Sequence, residues 1–280
     1  MRISLITVCH RSRLKIADYV QSFLQHHSSK VDQDNYQFVF VENSGEANFE
    51  QSVNPLVKCG FEVKVLKTEN EGFGRGCNAG ARLATGDILI FANPDIRFLD
   101  NLSALDYQFT NDNWGTVLQV TPTSGEYSID LLPENKGLLF EVLQLHRLVN
   151  MFPCLFLKRS YVVGSFMIIS KDLFVRSNGF NPAFFLYHEE AELARRLQTL
   201  SGAPTLCRAV SVFHQGFGSH NSHEEILKHE ANGFLTYCRV TRQPELIRRR
   251  LRIFLILGVF SYAARRRYHI LRNAASLQDF

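Results

Sequence analysis

The stretch from Glu62 to Phe98 limits the folds open to this chain more than any other. Val63 to Leu66, rich in β-branched residues, reads as a strand. Gly72, Gly74, Gly76 and Gly80 follow, four glycines in nine positions. They predict a loop whose backbone passes close to something bulky or adopts positive φ. Ala79 to Ala84 carries good helix formers and is ended by Gly86. Ile88 to Phe91 is continuously apolar between turn signals, as in a strand buried on both faces. Asn93-Pro94-Asp95 then lies just past that strand's C-terminal end, where open α/β sheets bind ligands. A glycine-rich loop and a carboxylate are therefore expected to meet at one edge of one sheet.

The preceding residues repeat the alternation. Ile3 to Val8 reads as a strand and Cys9 to Ser12 as a polar loop. Leu14 to Gln25 has apolar residues at helical spacing. Phe38 to Val41 reads as a second strand, ending in Glu42-Asn43-Ser44-Gly45, and Phe49 to Cys59 as a helix containing Pro55. Strands and helices at this spacing predict an α/β fold with a parallel, Rossmann-like sheet. Its strand ends carry Thr7 to Arg11, Glu42 to Ser44 and Asn93 to Asp95. Further on, Trp114 to Val120 reads as a strand, Leu138 to Met151 as helical, and Val162 to Ser170 as a strand leading to a helix start at Asp172. Glu189, Glu190 and Glu192 open the next helix. Val210 to Phe213 is the last expected strand, with His214, Gly216, Gly218 and Ser219 after it, and Glu224 to Tyr237 reads as a helix.

Charge is placed unevenly. From Arg239 to Phe280 there are ten arginines and two acids, a net +8; the whole chain is +4, so the first 238 residues carry −4. A basic tail on a mildly acidic body suits an anionic surface. Arg248, Arg249, Arg250 and Arg252 precede a 12-residue apolar run, Ile253 to Ala264, and Arg265-Arg266-Arg267-Tyr268 closes it. Twelve helical residues span about 18 Å, too short for a hydrocarbon core of roughly 30 Å. The run suits a helix lying in a membrane interface, or a buried C-terminal helix with solvated arginines. Nothing resembles a nucleic-acid motif or interleaves aromatic and basic residues. The six cysteines are scattered without Cys-x-x-Cys and read as reduced thiols. Met1-Arg2-Ile3-Ser4 enters a strand directly, so no signal peptide is expected, and a cytoplasmic location follows.

Taken singly, each motif has an ordinary explanation. A glycine-rich loop is a phosphate cradle or simply a turn, and Gly74-x-Gly76-x-x-Ala79 loosely fits a dinucleotide fingerprint. Three glutamates at a helix start are favoured by the helix dipole.

Together, Asn70, Gly72, Phe73, Gly76, Asn78, Gly80 and Asn93-Pro94-Asp95 resemble the inverting GT-A glycosyltransferases of family 2, in particular their rhamnosyltransferase-like branch. The segment Gly179-Phe180-Asn181 through Phe184-Phe185-Leu186-Tyr187-His188-Glu189-Glu190 to Arg196 continues the likeness, which covers about residues 1 to 225. The resemblance implies a GT-A fold: a Rossmann-like, mostly parallel central sheet with C-terminal helices. Residues 1–100 would be the sugar-nucleotide half, 101–225 the acceptor and catalytic half, and 226–280 a basic helical segment at the membrane surface. It implies donor contacts from Thr7, Arg11, Glu42, Asn43, Ser44, Asn70, Gly72, Phe73, Gly74, Arg75, Asn78, Asn93 and Asp95. Asp95 and His214 would hold a divalent cation, Mg²⁺ or Mn²⁺, since hard oxygen ligands suit either. Glu190 would be the catalytic base, with Gly164, Tyr187 and Glu189 on the acceptor side. Glu42, Glu190 and Glu192 stand where family members carry Asp, each longer by a methylene. The implied reaction moves a sugar from dTDP-rhamnose or a UDP-sugar to a glycan or lipid-linked glycan in bacterial surface polysaccharide synthesis, such as O-antigen, at the inner face of the cell membrane. The alternatives are a non-catalytic sugar-nucleotide-binding protein at the membrane and an NAD(P)-dependent oxidoreductase.

Overall fold

The computed structural model describes residues 1–27, 29–109, 112–122, 125–138, 140, 145–216, 222–259 and 261–276. The expected alternation is present. Strand β1 (Ile3–Cys9), helix α1 (Arg13–His26), the short α2 (Lys30–Asn35), β2 (Tyr36–Glu42), α3 (Phe49–Lys58), β3 (Glu62–Lys67), α4 (Phe73–Leu83) and β4 (Ile88–Ala92) follow in order. Strands β1, β2 and β4 are buried along their whole length, which is why they are apolar without alternation. Strand β3 lies at the sheet edge and is only half-buried.

The rest of the chain extends the same sheet. Strands β5 (Ile96–Phe98), β6 (Trp114–Thr121) and β7 (Gly125–Glu126) lead to a separate pair, β8 (Ile129–Leu131) with β9 (Ser160–Val162). Between those two lie helix α5 (His146–Met151) and two 3₁₀ turns, Pro153–Leu155 and Leu157–Arg159. Then come β10 (Phe166–Ser170), α6 (Lys171–Arg176), α7 (Glu189–Ser201), β11 (Thr205–His214), and helices α8 (His223–Val240), α9 (Glu245–Gly258) and α10 (Tyr262–Ser276). The sheet order is β3-β2-β1-β4-β10-β6-β11-β5, with β7 on β6. The β3-β2-β1-β4 part is parallel, as is β6-β11, while β10, β5 and β7 pair antiparallel, so the whole sheet is mixed. One core lies beneath α1 and α3, where Leu5 and Phe38 meet Phe23 and Phe49. The other lies beneath α4, α7 and the C-terminal helices, where Ile6 and Val39 meet Cys77 and Leu197. Successive residues of β1 and β2 thus serve opposite faces.

Three expectations are corrected. The glycine-rich stretch is not a loop. Helix α4 begins at Phe73 and contains Gly74, Gly76 and Gly80, and of the four glycines only Gly72 has positive φ, 108°. A Cβ on Gly76 would lie 2.9 Å from Val8, and one on Gly80 2.5 Å from Ile6 Cγ2. The glycines let the helix backbone settle on the sheet, and this tertiary demand overrides their poor helix propensity of about 1 kcal/mol each. Val162 to Ser170 is not one strand: the chain turns at Val163 to Ser165, and β9 and β10 belong to different sheets.

The third correction concerns the C-terminal apolar run, which is a helical hairpin broken between Gly258 and Tyr262. Gly258 lies against Arg265, where a Cβ would approach its Cγ to 2.8 Å. Leu246, Ile247, Ile253, Phe254 and Leu271 join the core that holds Phe234. Several of the tail's arginines are engaged inside the molecule. Arg249 donates to the carbonyls of Pro133 and Glu134, and Arg250 lies over Phe234 and Phe254. Arg266 pairs with Glu224 and Arg267 with Glu230. Among the described residues no helix is long and apolar enough to cross a membrane. Of the expected Leu138 to Met151 helix, residues 139 and 141–144 lie outside the described residues, as do Gly218, Ser219, Phe260 and 277–280.

Gly80→Ala should destabilise the protein by about 1–3 kcal/mol, the usual cost of overpacking a tight contact. Urea unfolding of the purified variant checks this, and an unchanged midpoint would remove the close-packing role.

Candidate functional site

Because β1, β2 and β4 run parallel, the loops after all three emerge on one side. There a cleft of about 420 Å³ opens, lined among others by Arg11, Asn43, Asn70, Gly72, Phe73 and Asn93. That is a volume typical of small-ligand sites. Its polar wall is a connected network. His10 Nδ1 lies 3.1 Å from Asn43 Oδ1, and Asn43 Nδ2 donates to Asn70 Oδ1 at 3.3 Å. Asn70 Oδ1 also accepts from the Gly72 N–H. Arg11 is left-handed (φ 50°), and its N–H donates to Ser44 Oγ at 2.9 Å.

Other expected residues lie elsewhere. Thr7 is buried, with its hydroxyl against Tyr19. Glu42 turns onto its own loop, accepting from the N–H groups of Ser44 and Gly45 and from the Ser44 hydroxyl. Burial pushes the Glu42 carboxyl up, but these bonds outweigh it and hold it below the usual range. Gly74, Arg75 and Asn78 face the segment 180–185. A Cβ on Gly74 would meet Phe180, and Arg75 Nε donates to the Pro182 carbonyl. Asn78 clamps Phe180, accepting from its N–H at 2.9 Å and donating to its carbonyl at 2.8 Å. The Phe73 N–H donates to the Phe185 carbonyl, and a Cβ on Gly72 would run into that same oxygen. The Phe73 and Gly76 N–H groups are thus already bonded within the protein.

Asp95 is buried and sits between His214 and Lys15. Its Oδ1 is 3.4 Å from His214 Nε2, and its Oδ2 is 4.0 Å from Lys15 Nζ. Burial raises its carboxyl, but His214 and Lys15 prevail and lower it. Strand β11 delivers His214 by pairing with β5, His214 opposite Ile96. Among the described residues no three His, Cys, Asp or Glu side chains gather as a metal cage. An Asp–His pair fits a divalent cation that takes its remaining ligands from substrate oxygens and water.

The three glutamates opening α7 are not equivalent. Glu192 forms a two-contact ion pair with Arg196, at 2.9 and 2.6 Å. Glu189 is buried, its Oε2 has no hydrogen-bond partner, and burial with the charge of Glu190 raises its carboxyl well above the ordinary range. Glu190 keeps partial solvent contact and lies beside Gly164, whose Cβ position is 3.6 Å from the Glu190 side chain. Burial drives its carboxyl up to about 7, assisted by Asp130 and opposed by its backbone hydrogen bond and by Lys136. The chain reaches these acids through two consecutive left-handed residues, Tyr187 (φ 69°) and His188 (φ 67°). Burial, with Lys136 and Arg250, lowers His188 to about 3, so it is neutral at ordinary pH.

Two groups escaped sequence reasoning. Asp130 is buried, paired with Lys136, and accepts from the hydroxyls of Tyr127 at 2.8 Å and Tyr161 at 3.4 Å. Tyr127, Asp130 and Lys136 lie between the expected Trp114–Val120 strand and Leu138–Met151 helix, where no element was expected, so no spacing signal could have joined them to Glu190. Glu225 and His229 of α8 also line the cleft, and His229 stacks on Phe185 at 5.3 Å.

Solved structures share this architecture. The chain superposes over its whole length on the Pyrobaculum calidifontis mannosyltransferase PcManGT, solved with GDP-Man and Mn²⁺, at TM-score 0.61 and 14% identity, covering 76% of that protein. Staphylococcus aureus TarS 1–349, solved with UDP-GlcNAc, matches at TM-score 0.57 and 12% identity, over 99% of this chain and 91% of that one. GalNAc-T7, solved with UDP, GalNAc and Mn²⁺, matches at TM-score 0.57 and 14% identity, over 82% of this chain and 47% of that one. At such identities the likeness is one of fold, the GT-A fold. No curated protein sequence matches significantly. The sequence profile of Glycosyl transferase family 2 matches residues 4–176, more than half of the chain, and the protein belongs to that family.

Proposed function

We propose that the protein is an inverting glycosyltransferase whose base is Glu190, using a nucleotide-diphosphate sugar and a glycan or lipid-linked glycan acceptor. The observation that carries this is the contrast among the α7 acids. Glu192 is held by Arg196 and Glu189 is sealed, while Glu190 is partly open with a carboxyl raised to about 7. A base of that strength is half-ionised near neutral pH, where proton transfer is most effective. Glu190 takes the acceptor hydroxyl proton, the oxygen attacks the anomeric carbon, and the nucleotide diphosphate departs from the opposite face. The donor nucleotide occupies the cleft against Arg11, Asn43 and Asn70, with Ser44 supporting Arg11. A divalent cation held by Asp95 and His214 supplies charge neutralisation at the diphosphate. The branch resemblance favours dTDP-rhamnose, with UDP-sugars close behind. Non-catalytic sugar-nucleotide binding is the second reading, favoured by Glu42, Glu190 and Glu192 at family Asp positions.

Asp95→Ala should abolish metal-dependent donor affinity in calorimetry; affinity unchanged with and without Mn²⁺ would end the metal role. Glu190→Gln should leave donor affinity intact and cut kcat about 10²–10⁴-fold, the usual worth of a general base. Donor turnover unaffected by this change would end the base role of Glu190, and donor affinity with no turnover in the wild type would instead favour the binding-protein reading.

The pH profile discriminates further. Only ionised Glu190 accepts a proton, so kcat should rise with pH through about 7. Lys136→Met removes a charge that favours ionisation and should move this limb to higher pH; Asp130→Asn should move it lower. Shifts of the same sign in both variants would exclude direct charge coupling. Stability runs the other way. A carboxyl raised from 4.5 to about 7 binds more protons folded than unfolded, so stability falls as pH rises through that window. Glu190→Gln should therefore melt higher than the wild type at pH near 8.

A further inference from the structure

We propose that the segment from Arg147 to Arg159 is the face by which this protein seats on an anionic lipid bilayer. The proposal deepens the lipid-linked acceptor reading above and rests on it.

Four large apolar side chains project from this segment: Leu148 is 43% exposed, Met151 62%, Phe152 49% and Leu155 73%. Their exposure does not come from a loose attachment. Val149, Asn150 and Pro153 are buried beneath them. The Asn150 carboxamide accepts from the N–H groups of Ser128 and Ile129 at 2.8 and 3.0 Å and donates to the Ile129 carbonyl at 2.9 Å. The inner side is fastened to β8, and the apolar side chains point outward from it.

Within residues 145–160 the formal charge has one sign. Arg147, Lys158 and Arg159 are exposed, and residues 145–160 contain no acid. A soluble protein leaves such an apolar patch open where it meets a partner. Short helical turns with apolar outer side chains beside unopposed cations match an anionic bilayer, where apolar groups enter the headgroup boundary and cations meet lipid phosphates. The C-terminal hairpin is a weaker candidate, because Arg249, Arg250, Arg266 and Arg267 are engaged within the molecule.

The patch also lies on the acceptor side of the chemistry. Its anchor, Asn150, holds Ile129, and the next residue of β8 is Asp130, whose charge acts on Glu190. A bilayer seated on this face brings lipid-linked hydroxyls toward the half of the molecule that holds the base.

The test is co-sedimentation of the full chain with phosphatidylcholine vesicles, with and without about 30% phosphatidylglycerol, at low salt where polybasic attraction is strongest. The wild type should bind the anionic vesicles. Met151→Ser/Phe152→Ser/Leu155→Ser should lower the partition coefficient about tenfold or more. Arg147→Gln/Lys158→Gln/Arg159→Gln should remove the preference for anionic lipid. Leu255→Ser/Ile256→Ser on the hairpin should bind as the wild type does. Circular dichroism melting establishes that each variant is folded. Wild-type protein that stays in the supernatant, segment variants that bind normally, or a loss confined to the hairpin variant would each overturn the proposal. So would a segment variant that changes only the oligomeric state, which would make this face a protein interface. Hydrolysis of the donor in detergent-free buffer separates the two readings. Donor turnover with vesicle binding indifferent to the segment sinks only this proposal, whereas segment-dependent binding without turnover sinks only the enzymatic one.

Discussion

The site depends on one junction, the contact between the N-terminal half of α4 and the segment 180–185. Gly72 and Gly74 remove the side chains that would hold the two apart, and Asn78 closes both hydrogen bonds of the Phe180 backbone. Phe73 donates to Phe185, and Arg75 to Pro182. Phe180 then packs edge-on against Phe73 and Phe91, tying the segment to β4. The motif that looked like a phosphate cradle is therefore chiefly a dock for another part of the chain. Residues far apart in sequence are fixed against each other within a few ångströms, with the cleft on one side and the start of α7 on the other. Positioning of this kind is what a displacement between two bound substrates requires, since misplacement of about 1 Å can cost about 100-fold in rate.

From that dock the chain reaches Glu189 and Glu190 through a backbone conformation that few residues adopt. Tyr187 and His188 are both left-handed, at a cost on the order of 1–3 kcal/mol each. Packing holds them there. Gly233 lets α8 press on the Tyr187 carbonyl, and the His188 ring lies against Phe234 and Tyr237. The C-terminal helices thus support the site, and Arg250 over Phe234 and Phe254 belongs to that support. Two neighbouring carboxyls, both raised by burial, are unfavourable for folding at neutral pH. Local strain and buried acidity concentrate at the same turn, as expected where stability yields to chemistry.

The first hundred residues were legible because fully buried strands leave unbroken apolar runs and helices leave a 3.6-residue period. Strands β1, β2 and β4 and the loops after them lie where the alternation placed them, and Arg11, Asn43, Asn70 and Asn93 share one cleft. What glycine does was not legible. It looks the same in sequence whether it supplies positive φ, as at Gly72, or close packing, as at Gly76 and Gly80. Thr7 and Asn78 show a related limit, since both make contacts within the protein and a polar residue in a motif does not disclose whether it faces ligand or protein. The Asp130–Lys136 pair left no signal, because its link to Glu190 exists only after β8 and β9 have paired. The C-terminal run hid its break, since the residues around Gly258 stay apolar through the turn.

Glu42 and Glu190, two of the glutamates that the resemblance sets against aspartates, differ in what their longer arms reach. Glu42 curls back so that its carboxylate caps the Ser44 and Gly45 N–H groups. That bond set orders Ser44, whose hydroxyl fixes the left-handed Arg11 at the cleft. The longer arm there acts through the loop, and Asn43 is left to face the cleft. At Glu190 the added length runs alongside Gly164, where a Cβ placed on the glycine would lie 3.6–3.7 Å from the Glu190 Cβ, Cγ and carboxyl carbon, ordinary contact distance. The charges of Asp130 and Lys136 act on that same carboxyl in opposite directions, Asp130 raising its hold on the proton and Lys136 weakening it.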